Sequence, residues 1–251
     1  MKVTILGSGT STGVPMVGCN CRVCSSQDPR DARTRSSLLI RHGDHTILVD
    51  TSPDLRYQAL REHINHIDAV LFTHSHADHV NGIDDLRGFH FINRTVVPCF
   101  ASRATTEILL NHFPYIFKEQ EGSGYKPLLD PHIVTDAFEL FGLSITPIPL
   151  EHGHTATFGY RIGTFAYLTD CNAIPDSSEA LLNGLDLLII DGLRWKPHPF
   201  HFNIETAMAA TARLQPRRTI LTHLSHDVLY SEGAALPAGF EFAYDGLEYE
   251  L

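Results

Sequence analysis

The chain has 251 residues, 43% of them apolar, which is enough for one large domain or two small ones with a packed core. A formal charge of −10 argues against gripping a nucleic-acid backbone, and no apolar stretch approaches the length that crosses a bilayer. Five cysteines, three of them clustered, argue against a disulfide framework and for a reducing compartment, so the cytoplasm is the expected location.

Residues 1–7 are apolar too briefly for a signal peptide and read as a first strand. Gly7-Ser8-Gly9-Thr10-Ser11-Thr12-Gly13 follows, but its last glycine comes one residue too late for a dinucleotide-binding G-x-G-x-x-G. It reads as a flexible turn near the edge where the chemistry gathers. The basic run from Arg30 to Arg35 is broken by Asp31 and reads as a solvated surface loop. Strands at 37–41 and 46–50 flank His42-Gly43-Asp44-His45, a hairpin pattern. Pro53 precedes a helix over 54–64 that carries Leu55, Ala59, Leu60 and Ile64 on one face. A second helix spans 102–112 with Ser102 as cap, and 114–132, rich in Gly, Pro and charge, reads as a loop joining two halves. Strands follow at 143–150, 158–162, 165–169, 187–190 and 219–222, with a helix at 203–214 capped by Asn203.

The chemistry concentrates in Thr73-His74-Ser75-His76-Ala77-Asp78-His79, directly after the apolar run Ala69-Val70-Leu71-Phe72. Alternation sends His74 and His76 to one side, and a turn brings Asp78 and His79 to a second point close by. Imidazole and carboxylate suit zinc, manganese or iron, and two such ions about 3.5–4 Å apart share an activated water. The same rule repeats downstream: apolar strands run out at His152, Asp170, Asp191 and His223. Polar groups gathered at the rim of a rigid sheet make a preorganised metal site. His74, His76 and His152 then serve one ion, Asp78, His79 and His223 the other, and Asp170 bridges. His154 competes with His152, which lies nearer its strand. Asp50 is either an acceptor that fixes an imidazole or a turn-initiating aspartate before Ser52-Pro53, and Asp191 is equally open. Cys99 and Cys171 read as ordinary buried cysteines.

His74-Ser75-His76-Ala77-Asp78-His79 completes the H-x-H-x-D-H signature, and with His152, Asp170 and His223 the whole chain resembles the metallo-β-lactamase superfamily. That resemblance implies an α+β fold, a four-layer αββα sandwich. It forms one domain, 1–251, of two similar halves, about 1–130 and 131–251. A closer resemblance, to the phosphoribosyl cyclic phosphate phosphodiesterases of phosphonate degradation, rests on three segments. They are Gly18-Cys19-Asn20-Cys21-Arg22-Val23-Cys24 after Gly13-Val14-Pro15; Leu221-Thr222-His223-Leu224-Ser225-His226; and Leu236-Pro237-Ala238-Gly239-Phe240 with Tyr244-Asp245-Gly246. It implies a separate structural zinc on Cys19, Cys21, Cys24 and His226, a closed Cys₃His set.

The resemblance also implies two divalent ions, manganese or zinc with iron as a third option, and hydrolysis of a small cyclic phosphodiester such as phosphoribosyl 1,2-cyclic phosphate. Asp78 and His201 are the catalytic candidates, His201 as phosphate contact or proton donor. The segment Thr51-Ser52-Pro53-Asp54-Leu55-Arg56 and the stretch from Arg194 to Pro199 depart from the specialised enzyme. In the latter, Arg194 and Lys196 are candidate phosphate contacts, and Trp195 either stacks on a base or sugar or fills the core. The expected partner is a small anionic phosphodiester, not a membrane or a nucleic-acid polymer, and pairing into a homodimer is known among relatives. Alternatives are a cyclic-nucleotide phosphodiesterase, a tRNA 3′-processing nuclease, a glyoxalase-type thioester hydrolase and a metal-binding regulatory module without turnover.

Overall fold

The computed structural model describes residues 1–118 and 128–251. In chain order, β1 (Lys2–Gly7), β2 (Ser37–His42) and β3 (His45–Val49) lead to α1 (Leu55–Arg61), β4 (Ala69–Leu71), α2 (Ala77–Val80) and α3 (Leu86–Asn93). Next come β5 (Val97–Ala101), α4 (Arg103–His112), α5 (Pro114–Phe117), β6 (Leu129–Ile133), β7 (Phe138–Leu140), β8 (Leu143–His152), β9 (Thr155–Ile162) and β10 (Phe165–Leu168). The chain finishes with α6 (Asp176–Glu179), β11 (Leu187–Asp191), α7 (Ile204–Leu214), β12 (Arg218–Thr222), β13 (Phe240–Phe242) and β14 (Glu248–Glu250).

These strands form two sheets in the orders β14-β1-β2-β3-β4-β5-β6 and β13-β12-β11-β10-β9-β8-β7. Period-2 alternation explains their stacking. Val3, Ile5, Leu38, Ile40, Ile47, Val49, Ala69 and Leu71 of the first sheet meet Ile145, Tyr160, Ile162, Phe165, Tyr167, Leu187, Ile189 and Ile220 of the second. The intervening residues face outward onto helices: Leu39, Leu48 and Val70 pack with Leu55, Leu86 and Leu109, while Ala166, Leu188 and Leu221 pack with Ile204, Ala207 and Leu214. Because both faces are covered, the central strands are continuously apolar. The result is the expected αββα sandwich.

Some local expectations change. The helix predicted over 54–64 ends at Arg61, since Glu62 and His63 turn out of the helix and His63 takes φ +50°. The stretch 114–132 is not simply a loop: α5 lies within it and β6 begins in it, and 119–127 fall outside the described residues. The first sheet runs on through Ile133 and takes β14 from the far end of the chain. Among the described residues no helix is long and apolar enough to cross a membrane.

One edge collects the site. Strands β10, β11 and β12 pair in parallel, so their C-terminal ends lie together. β8 is antiparallel to β9, which is antiparallel to β10, so β8 ends at the same edge. β3 and β4 pair in parallel in the other sheet. His152, Asp170, Asp191 and His223 therefore arrive at one rim because of strand direction alone.

Candidate dinuclear metal centre

Two four-donor groups form at this edge, each with its atoms within 4.8 Å of one another: His74, His76, His152 and Asp170; and Asp78, His79, Asp170 and His223. Asp170 belongs to both. Its Oδ1 lies 3.1 Å from His223 Nδ1 and 3.3 Å from His79 Nε2, and its Oδ2 lies 3.8 Å from His74 Nε2. His79 Nε2 is 3.4 Å from Asp78 Oδ2, and His152 Nε2 is 3.3 Å from His76 Nδ1. All seven expected side chains converge; exposed His154 is not among them.

The imidazoles are aimed from behind. Asp50, fully buried, accepts from His79 Nδ1 at 2.7 Å and from the Thr73 N–H and hydroxyl at 2.8 and 2.7 Å. That hydroxyl lies 3.0 Å from His74 Nδ1, so it accepts from one ring while donating to the carboxylate that holds the other. His152 Nδ1 donates to the Phe200 carbonyl at 2.7 Å. With Nδ1 committed in this way, Nε2 keeps a lone pair for a cation. Asp50 is thus an orienting acceptor. Asp50 and His223 hold φ of +62° and +58°, backbone strain located where the site needs an unusual chain direction.

The residues fit a cation. His74 Nε2, His79 Nε2 and Asp78 Oδ2 are buried without a hydrogen-bond partner, and each such orphan costs about 1–3 kcal/mol unless something satisfies it. Electrostatics agree. Burial pushes the Asp170 carboxyl up, but the imidazoles of His223, His79 and His74 outweigh it and hold the group well below the usual range. Burial, followed by neighbouring His79, pushes His74 well below the usual imidazole value, which suits a neutral ligand.

His201 stands beside the cluster. Its Nδ1 meets Asp191 Oδ2 at 2.7 Å, and its ring stacks on His223 with centroids 4.8 Å apart and 13° between planes. Burial alone would lower its pKa, but the Asp191 carboxylate overrides that and raises it. Asp191 itself is pushed up to about 6 by burial, with His201 opposing, and also accepts from the Cys171 N–H at 3.0 Å. Asp191 is therefore the positioning partner of His201.

The second predicted site also assembles. Cys19 Sγ and Cys21 Sγ lie 3.3 and 3.5 Å from His226 Nδ1, and Cys24 completes a group within 4.8 Å. A tetrahedral zinc with Zn–S of about 2.3 Å and Zn–N of about 2.0 Å would set S···N edges near ~3.5 Å. Cys21 is drawn down to about 6, chiefly by the Cys24 N–H, while burial pushes Cys24 up to about 11. Thiolate is the form that binds a metal, and a cation held between these sulfurs would favour their ionising together.

Other expectations are corrected. The Arg30–Arg35 run is not simply a solvated loop: Arg33 is fully buried, pairs with Asp31 at 3.0 Å and donates to the Ser225 carbonyl at 3.1 Å. The glycine-rich turn does reach the cluster, with Thr10 Oγ1 3.2 Å from His223 Nε2. Its first part is buried, and a Cβ on Gly9 would come within 2.9 Å of Arg33, while Ser11 and Thr12 are exposed. Arg194 turns to Asp227 and the carbonyls of Lys196 and Pro197, and Lys196 is exposed, so neither is drawn into the cluster. Trp195 packs against Phe242 and donates to Glu232, which makes it part of the core periphery. Sequence reasoning missed Ser36, whose hydroxyl sits 3.0 Å from His223 Nδ1; no local signal marks it.

Comparison with known proteins gives the same picture. The model of the beta-lactamase superfamily domain matches residues 45–224. A crystal structure described as a new diphosphatase from the PhnP family shares 44% identity at a TM-score of 0.93, over 100% of this chain and 97% of that one. An octanoyltransferase from Porphyromonas gingivalis is 41% identical over 99% of this chain, yet the chain spans only 51% of that relative. Zinc-bound PqqB from Methylobacterium extorquens shares the fold, with 24% identity and a TM-score of 0.79 over the full length of both. The family model over residues 45–224 and the 44% identity across nearly all of the diphosphatase show that the chain belongs to the metallo-β-lactamase superfamily, within its PhnP family.

Proposed function

We propose that the protein hydrolyses a small phosphodiester, a cyclic one such as phosphoribosyl 1,2-cyclic phosphate being the first choice, with a pair of divalent ions. The observation that carries this is Asp170, buried and shared between two four-donor groups. Ions there supply an acidified water and a Lewis acid for phosphoryl oxygens, and manganese, zinc or iron suits the donors. The chain's own part is orientation and proton supply. Asp50, Thr73 and the Phe200 carbonyl fix the imidazoles, and Asp191 turns His201 so that its Nε2 can meet a phosphate or the leaving oxygen. A structural zinc on Cys19, Cys21, Cys24 and His226 would pin the segment that carries His223, three residues away in sequence.

A second reading, cleavage of a diphosphate linkage, is favoured by the 44% identity to the PhnP-family diphosphatase. Octanoyl transfer stays with the relative of which this chain covers about half. The test is turnover of bis(p-nitrophenyl) phosphate, a ribose cyclic phosphate, a cyclic nucleotide and a dinucleoside diphosphate, each with manganese and with zinc, beside metal analysis. Turnover of the diesters supports the first reading, and turnover of the diphosphate alone selects the second. No turnover with any metal would leave a binding module.

A further inference from the structure

One large apolar side chain at the edge of the donor cluster stays open to solvent. Phe200 is 47% exposed. A single exposed phenylalanine is ordinary on a protein surface, but this one is fixed from several directions. Pro197 and Pro199 bracket His198 and lock the backbone torsions before it. The Phe200 N–H donates to His198 Nδ1 at 3.3 Å, and its carbonyl accepts from His152 Nδ1 at 2.7 Å. Its ring lies over Gly153, at φ +57°, where a Cβ would come within 2.8 Å of the ring. Glycine is thus required both for the turn after His152 and for the close approach of the ring.

The ring is also continuous with the site. His198 meets Phe200 edge-on, centroids 6.1 Å apart, and lies 5.0 Å from the His201 ring, which in turn lies 4.7 Å from His152. His76, the exposed member of the first donor group, has its ring 5.0 Å from His152. A flat, solvent-facing ring packed on Gly153 therefore borders the solvent-facing side of the donor cluster. Trp195, the residue whose sequence position suggested base stacking, is turned to the core.

We propose that Phe200, backed by His198, is a stacking wall for a planar heterocyclic base on the substrate. That revises the first choice above: within the small phosphodiesters, the substrate class becomes a nucleoside-bearing phosphate ester in place of a bare sugar cyclic phosphate. This rests on the phosphohydrolase reading above. Stacking on an aromatic side chain discriminates by area and π-face and tolerates different bases, so purines should exceed pyrimidines modestly.

The test is calorimetric binding of adenosine 5′-monophosphate and ribose 5-phosphate to the metal-loaded protein, wild type, Phe200→Leu and Phe200→Trp. The wild type should bind the adenosine compound on the order of tenfold more tightly. That ratio should fall towards one in Phe200→Leu and persist in Phe200→Trp, which keeps a flat face. Equal affinities in the wild type, no binding of the adenosine compound, or a preference that survives in Phe200→Leu would overturn the wall. Turnover of 2′,3′-cyclic adenosine monophosphate and a ribose cyclic phosphate is measured alongside. Failure to hydrolyse either, with the binding preference intact, counts against the hydrolysis reading and not against the wall.

Discussion

Replacing Asp50 by Asn removes one charge and almost no volume, yet the structure assigns it a large effect on metal retention. The native carboxylate accepts three hydrogen bonds: Oδ2 from His79 Nδ1 and the Thr73 hydroxyl, Oδ1 from the Thr73 N–H. An amide has one acceptor oxygen. If that oxygen stays opposite the Thr73 N–H, the NH₂ faces His79 and drives the imidazole to carry its proton on Nε2, the atom that should hold the ion. If the amide flips, two donors face each other at Thr73 in a fully buried place, which costs about 1–3 kcal/mol. Lost orienting partners of this kind weaken metal binding by roughly 10–100-fold, or about 1.4–2.7 kcal/mol. Competitive metal titration with manganese and zinc, beside near-ultraviolet circular dichroism, measures both parts. Asp50→Asn should lose affinity within the second donor group while keeping its fold, and His154→Ala, at an exposed neighbour of the site, should match the wild type. An unchanged affinity in Asp50→Asn would refute the tautomer argument and make Asp50 a turn residue after all.

Cys21→Ser should lower zinc content by one equivalent per chain and reduce the urea midpoint, read by mass spectrometry of the dialysed protein and by equilibrium unfolding. His201→Ala should retain its metal yet lose about 10²–10⁴-fold in turnover, the range for a proton donor, and Asp191→Asn should lose less because it acts through His201. Unchanged turnover in His201→Ala would remove it from the chemistry. Arg33→Met leaves the buried Asp31 without its ion-pair partner, held only by Ser26 and the Tyr230 N–H, at up to about 3–5 kcal/mol of stability, whereas Arg30→Met breaks a solvent-exposed pair with Asp28 and should cost far less. Equal urea midpoints in the two variants would contradict the burial argument.

Most donors were legible because metal chemistry leaves a compositional mark. His74, His76, Asp78 and His79 crowd into six positions, and isolated polar residues end otherwise apolar strands. The strand count was less legible. β13 and β14 are three residues each and carry no alternation long enough to read, and β14 finds its place only by pairing with β1 across the whole chain. Arg33 was misread because a charged residue in a basic run is usually solvated, and local sequence cannot reveal that Asp31 and the Ser225 carbonyl wait inside.

The sequence by itself determined which side chains could hold ions, since donor type is a property of the residue, and where the longer apolar strands run, since an apolar run is local. The tertiary structure decided what those donors face. Parallel pairing of β10, β11 and β12 brings their ends to one rim. Contacts between residues far apart in sequence make Asp50 an orienting acceptor, turn Trp195 inward and leave Phe200 open at the mouth. Hydrogen-bond partners and burial depend on where the chain returns in space, and no window of neighbouring residues contains that information.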